Sequence, residues 1–526
     1  MTEAKNRQKN IPVMCVLIIL TSLLIRQLIV GFMDNDFYHI AVSGRRIVQN
    51  GIFYENPYFV ESGYHMIVQQ WLYAIALYLS YAWAGFSGVF LFTAFQVLLL
   101  LILAWQYLKI RNCDTYVTRI GAVLLVLSVQ DLCCRPEIIS ISLLVMQLIL
   151  LERYRTNKKT AVLYLMPLLS LAEINLHASY AVFHLIFLLP YLVPLHKIPM
   201  IGDMESMVGI REDAVPIKPL IVPMILMIVS FWLNPYGLES FLMVAKSGNI
   251  HLIPIAESQP VSIMKPQSAF LLIGVILIGI AIGLKRLKQS TLMMGLGILL
   301  ITLIAVKNSL FWSIVLLAVC GDLLDGQDCH VFWELLEIKK KILQILLPVL
   351  SVVAGILLIT IQGWIRWERS PEGLLIANSG LEVQEKDSEI CPLLAVDYIL
   401  ANETHPEEVR IMNSFNNGSY FLWRGIGHVY IEPKTEPYLR SFNGKFDVVS
   451  EYAYLLSFAT FDEIDAIVKK YDFDYICASM NMPALQTYLQ QTNEYQKVLE
   501  SESTYDGYVA ELGRSVPEYV LYRKCE

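Results

Sequence analysis

The sequence predicts an α-helical polytopic membrane protein of about 11 spans with a small C-terminal extracytoplasmic α/β domain. Three observations predict it. Long apolar runs recur from Ile11 to Trp364 and then stop. Charge divides at the same place: residues 365–526 hold 14 Lys+Arg against 26 Asp+Glu, a net of −12, which leaves 26 against 21, a net of +5, for the other 364 residues. The basic residues of that first part gather in short loops, as cytoplasmic connections do. The whole chain of 526 residues is 56% hydrophobic and only 17% charged, below the quarter that is usual in soluble domains. The expected organisation is a membrane domain over 1–364, with a first outer loop at 33–70, and an outer domain over 365–526.

Apolar segments lie near 11–32, 66–84, 86–108, 118–133, 137–152, 160–175, 177–195, 219–235, 269–284, 291–306, 309–321 and 342–364. Several are shorter than the ~20 residues of a straight spanning helix, which broken or shielded helices allow. Lys5, Arg7 and Lys9 precede the first run, and no small-x-small cleavage site follows, so the run reads as an uncleaved span. Arg26 interrupts it, either snorkelling to an interface or facing a polar cavity that holds an anion.

The basic clusters at Lys5/Arg7/Lys9, Lys109/Arg111/Arg119, Arg153/Arg155/Lys158/Lys159, Lys285/Arg286/Lys288 and Lys339/Lys340/Lys341 should share the cytoplasmic side. Even numbers of segments separate them, except over 11–108, where three candidates must act as two. The weakest is 66–84, with Gln69-Gln70 and many Tyr and Trp, which reads as interfacial, re-entrant or partial. The N-terminus then lies inside a plasma (cytoplasmic) membrane and residues 365–526 lie outside. The outer face carries 33–70, Arg135-Pro136-Glu137, Asn175-Leu176-His177, 236–268 and Lys307-Asn308.

In the outer domain, Val409–Met412, His428–Ile431, Tyr475–Ala478 and Tyr519–Tyr522 are rich in β-formers. They alternate with helix-like stretches at 461–470 and 482–491, a small α/β pattern. Asn416-Asn417-Gly418 and Asn443-Gly444 are turn signals.

The chemistry begins at Asp34-Asn35-Asp36-Phe37-Tyr38-His39, where the chain first leaves the membrane. Carboxylates are costly to desolvate beside a bilayer and usually have a task there. A helix starting near Asp36 puts Asp36 and His39 on one face at i, i+3. Either Asp36 is a cap of that helix and Asp34 a solvated loop charge, or a carboxylate of the pair is a general base for an acceptor hydroxyl, with His39 orienting it or the acceptor. A phosphate leaving group needs cations rather than a strong acid. Arg135, His177 and Lys307, at outer helix ends, are candidates to hold it, and Glu257 in the 236–268 loop is a candidate to touch the acceptor. Each also has a structural reading as a helix cap, a carbonyl partner at a helix break, an interfacial anchor or a solvated charge.

No basic patch suggests nucleic acid, and no Gly-rich phosphate loop supports nucleotide binding. The nine cysteines show no metal-ligand spacing, so no metal or other cofactor is indicated. Cys133-Cys134 read as packing residues; among Cys391, Cys477 and Cys525 one disulfide is possible.

A set of short motifs runs in order along the chain. They are Asp34-x-Asp36-x-x-His39-x-x-x-x-Gly44, Asn50-Gly51, Asn56-Pro57-Tyr58, Gln70-Trp71-Leu72, Arg135-Pro136, Asn175-x-His177, Asn234-Pro235-Tyr236-Gly237 and Ile431-Glu432-Pro433-Lys434. In these the chain resembles the GT-C superfamily of polytopic glycosyltransferases, in particular a bacterial branch related to protein O-mannosyltransferases and lipid A aminoarabinose transferases. The chain lacks the adjacent Asp-Glu pair of the better-known enzymes. The resemblance implies a GT-C-like fold, a polyprenyl-phosphate-linked sugar as donor and an envelope glycan, lipid or protein as acceptor. It also implies an acidic base in the first outer loop, which falls on Asp34 or Asp36. Two rivals stay open: a non-catalytic membrane protein for envelope assembly, and a polysaccharide polymerase or lipid-linked-glycan transporter.

Overall fold

The computed structural model describes residues 11–31, 35–113, 116–128, 132–192, 210–247, 260–261, 266–325, 346–357, 374–376, 383–385, 387–457, 459–501 and 517–525. They pack as two compact units. The first comprises Met1–Phe32, Leu91–Asn234 and Pro254–Glu368; the second comprises Met33–Phe90, Pro235–Ile253 and Arg369–Glu526. The division does not follow one cut in the chain, because residues 33–90 and 235–253 join the C-terminal part.

The first unit is helical. Two described helices are long and apolar enough to cross a membrane, Trp71–Ile110 and Val306–Leu324, so the expected 11 spans go beyond what the helices alone establish. The first of them is interrupted at Ala84 and Gly85, between the two apolar segments read there, and Gly85 takes a φ of 60° that favours glycine. Shorter apolar helices cover Thr160–Leu176, Ala178–Leu192, Lys218–Ser230, Ser268–Gly283, Gln289–Ile304 and Leu346–Leu357. Their outer faces are apolar: Leu296, Leu300, Leu303 and Ile304 on one helix and Leu272, Ile276 and Ile280 on another are exposed. Apolar faces of this extent call for apolar surroundings.

In this unit a buried ion network joins five stretches of chain. Arg111, just past helix Trp71–Ile110, donates to Glu152 Oε1 at 3.1 Å and to Asp322 Oδ1. Arg155 bonds both oxygens of Glu152 at 2.9 and 3.1 Å and lies 3.4 Å from Asp213. Asp213 accepts from the Ser290 amide and hydroxyl, and Asp322 accepts from the Lys288 amide. Three of the basic clusters assigned to one membrane side therefore meet here. Such charges are tolerable in an apolar bundle only while each is paired.

The second unit is built on a five-stranded mixed sheet of β3 (Arg410–Met412), β4 (His428–Val429), β5 (Tyr475–Ser479), β6 (Tyr495–Glu500) and β7 (Tyr519–Lys524). A separate hairpin pairs β1 (Leu374–Ile376) with β2 (Val383–Glu385). The five-stranded order is β4-β3-β5-β7-β6; β4, β3 and β5 run parallel, and β7 is antiparallel to both its neighbours. The strands expected from β-formers are thus present, with β6 in addition. Helix Phe461–Tyr471 shows why its residues form a helix. Thr460 and Glu463 close a capping box, while Ile464, Ile467, Val468 and Tyr471 form one buried stripe. Cys391 and Cys477 are buried free thiols and Cys525 an exposed one, so no disulfide joins them.

The first loop belongs to this sheet. Phe59 pairs with Val429 in parallel, extending the β4 edge. Helix Asp36–Asn50 packs on helix Gly418–Arg424 through Phe37 against Trp423 at 5.3 Å and Tyr38 against Tyr420 at 5.2 Å. Arg45 donates to the carbonyls of Leu422 and Trp423 at 2.7 and 3.0 Å and stacks on the Trp423 ring. A guanidinium there adds donors to the last carbonyls of the helix and meets its negative pole. On the other side, a Cβ at Gly44 would stand 2.0 Å from the Ala74 carbonyl oxygen, so only glycine permits this helix crossing.

Removing one carboxylate from the ion network, by Glu152→Gln or Asp322→Asn, should destabilise the first unit by about 3–5 kcal/mol. Removing the exposed Lys109 by Lys109→Ala should change stability by about 0.5 kcal/mol or less. Thermal unfolding of the solubilised protein measures both.

Candidate functional site

The candidate base stands at the start of helix Asp36–Asn50. Asn35 occupies the N-cap, with its side chain donating to the Asn416 carbonyl at 3.0 Å rather than capping. Asp36 is therefore the first helical residue, where the helix dipole favours a carboxylate. Its Oδ1 lies 3.9 Å from His39 Nδ1, the i, i+3 pairing expected from the spacing. The Asp36 side chain is 32% exposed and that of His39 12%. Gln70 sits against the far edge of the imidazole, its Nε2 3.5 Å from His39 Nε2. The carboxylate is thus partly exposed, and the imidazole lies between it and Gln70. Asp34 and Glu257 lie outside the described residues.

A buried acid and amine lie in the same unit. Glu432 is 2% exposed and accepts from Ser419 Oγ at 3.2 Å, and its other oxygen has no hydrogen-bond partner among the described residues. Burial pushes its carboxyl up to about 7, although the Lys434 ammonium works against this. Lys434, whose ammonium donates to the Ile67 carbonyl, is itself pushed down by burial. Gly418 faces the same strand end, where a Cβ would lie 2.0 Å from the Ile431 carbonyl oxygen.

In the first unit, the motifs around Arg135, His177 and Asn234 adjoin. Ser140 Oγ lies 3.2 Å from the Pro136 carbonyl and 3.1 Å from His177 Nδ1, and Asn175 donates to the Leu233 carbonyl at 3.0 Å. His177 ends helix Met166–Leu176 with φ −157° and ψ 78°, and a 3₁₀ turn follows. Arg135 is half-buried just before helix Glu137–Asn157. Lys307 is exposed in the 3₁₀ turn Val306–Phe311, whose Phe311 stacks on Phe183 at 3.9 Å.

Sequence reasoning missed the polar chain behind His177. Glu173 is fully buried, with Oε1 2.5 Å from Ser140 Oγ and Oε2 3.5 Å from His184 Nε2. His184 Nδ1 lies 2.6 Å from Gln147 Oε1. The signal was present: Glu173 is an ionisable residue inside an apolar run, four residues before His177. Glu432 and Lys434 stood in a quoted motif without an assigned role.

The Glu432 environment sets a pH dependence. Its folded value lies above the ordinary one, so the folded chain holds a proton that the unfolded chain releases. This group's contribution is present below about 4.5 and is lost as pH rises through about 7. The thermal midpoint should fall between pH 5 and pH 8 more steeply in the wild type than in Glu432→Gln, by a difference on the order of 3 kcal/mol.

No family model matches the chain, and no curated protein matches it in sequence. Among solved structures, the chain is similar to the crystal structure of the Archaeoglobus fulgidus oligosaccharyltransferase, tethered through a disulfide bond with an acceptor peptide containing the NVT sequon. The match covers 95% of this chain and 73% of that one, with a TM-score of 0.52 and 9% identity. At this identity the likeness is one of fold.

Proposed function

We propose that the chain is a polytopic inverting glycosyltransferase of about 11 spans in the plasma (cytoplasmic) membrane, with its N-terminus cytoplasmic and residues 365–526 outside. It moves a sugar from a polyprenyl-phosphate carrier to a hydroxyl of an envelope glycan, lipid or protein. The observation that carries the reading is the likeness to an oligosaccharyltransferase fold over nearly the whole chain. The partly exposed carboxylate in the first turn after the first apolar helix supports it.

In the proposed reaction the acceptor oxygen attacks the anomeric carbon as the bond from that carbon to the phosphate oxygen breaks. Asp36, or Asp34 before it, takes the hydroxyl proton, and the phosphate leaves with the bonding pair. His39, held by Gln70, orients the base or the acceptor. Arg135, His177 and Lys307 hold the departing negative charge, which replaces a strong general acid. Glu257 touches the acceptor, and residues 365–526 align it.

Asp34→Asn and Asp36→Asn, singly and together, test the base. Transfer of labelled sugar from a panel of polyprenyl-phosphate sugars to envelope material should fall by about 10²–10⁴-fold in the variant lacking the base. Its thermal midpoint should stay near that of the wild type. Undiminished transfer by the double variant sinks the mechanism. Arg135→Ala should raise KM for the lipid-linked donor more than it lowers kcat if Arg135 holds the phosphate in the ground state.

A further inference from the structure

The buried chain Glu173–Ser140–His177 has a definite hydrogen-bond polarity. Ser140 Oγ stands 2.5 Å from Glu173 Oε1, 3.1 Å from His177 Nδ1 and 3.2 Å from the Pro136 carbonyl oxygen. A serine hydroxyl has one proton to give. The carboxylate is the closest and strongest acceptor of the three, so the proton goes to Glu173. Ser140 Oγ then accepts from His177, and Nδ1 carries a proton. The lone pair of His177 is left on Nε2, which no described residue hydrogen-bonds. The residue as a whole is 6% exposed, whereas Glu173, Ser140 and His184 are fully buried.

The far end of the chain is fixed as well. Gln147 Nε2 donates to the His184 carbonyl at 2.7 Å, which turns Oε1 toward His184 Nδ1 at 2.6 Å. An amide oxygen only accepts, so Nδ1 carries a proton there too. His184 Nε2 faces Glu173 Oε2 at 3.5 Å. Glu173 is thereby anchored through Oε1, with the imidazole of His184 facing its other oxygen.

We infer that Ser140 and Glu173 are positioning residues for His177. They fix its Nδ1–H tautomer and set a buried acidic group behind the ring, so that Nε2 takes up a proton when an anionic oxygen comes against it. The ligand class is a lipid-linked phosphate, and the inference rests on the reading of His177 as a holder of the leaving phosphate. The proton comes from water or from an acidic phosphate oxygen; only O–H and N–H bonds change. The bare apolar alternative, a histidine merely filling a helix break, would not need a fixed tautomer.

The test uses the full chain in lipid nanodiscs with ¹⁵N-labelled histidine, with His177 assigned through His177→Gln. The wild-type ring should be the Nδ1–H tautomer. Ser140→Ala should release it to the Nε2–H form, and Ser140→Cys, which preserves the packing, should release it in part. Farnesyl phosphate should protonate both ring nitrogens in the wild type. Ser140→Ala and Glu173→Gln should bind it about tenfold more weakly, with the ring still neutral. A wild-type ring in the Nε2–H form, or a tautomer unchanged in all three variants, overturns the positioning role. If the tautomers behave as stated and farnesyl phosphate leaves the ring unaltered, the positioning role stands and the phosphate-holding reading of His177 falls.

Discussion

The contact of Arg45 with the end of helix Gly418–Arg424 governs where the candidate base stands. The guanidinium takes the Leu422 and Trp423 carbonyls and lies on the Trp423 ring. Phe37 and Tyr38 pack beside it. Asp36 and His39 are within one turn of these aromatics, so their direction follows from packing rather than from their own bonds. Gly44 completes the arrangement by letting the Ala74 backbone come close on the other side. A helix gripped in this way can present a partly exposed carboxylate without letting it wander, which is what positioning a base requires.

A second constraint is the cost of charge in apolar surroundings, and the first unit meets it in two ways. In one, Arg111, Glu152, Asp322, Arg155 and Asp213 neutralise one another directly. Glu173 instead meets the Ser140 hydroxyl and, at 3.5 Å, the His184 imidazole, which in turn meets the Gln147 amide. The first arrangement holds helices together, because each ion is committed to its partner. The second is held by neutral polar groups, which fix orientation rather than cancel charge.

Much of this was legible in the sequence. Apolar runs, the i, i+3 spacing of Asp36 and His39 and the β-formers of the C-terminal part each act through local rules, and the structure bears the corresponding elements. The strand Tyr495–Glu500 escaped because its polar residues Gln496, Lys497 and Glu500 hide an edge strand. The joining of residues 33–90 to Arg369–Glu526 escaped because nothing local specifies it; it depends on Trp423 and Phe37 meeting across the chain. Ser140 escaped because a serine in an apolar helix carries no signal until its neighbours in space are known. Among the candidate residues, spacing revealed the pair Asp36 and His39, and contacts distant in sequence supplied Gln70 beside them in the second unit and Glu173 beside Ser140 in the first.

The discontinuity of the second unit also has a meaning in time. Helix Asp36–Asn50 is synthesised early, and the helix that grips it follows some 370 residues later. At ~5–20 residues per second, roughly 20–70 s separate the two. During that interval Phe37 and Tyr38 lack their aromatic partners. A nascent chain halted before Gly418 would hold its earlier apolar helices yet leave helix Asp36–Asn50 without its clamp, so Asp36 could be positioned only after Gly418–Arg424 is made.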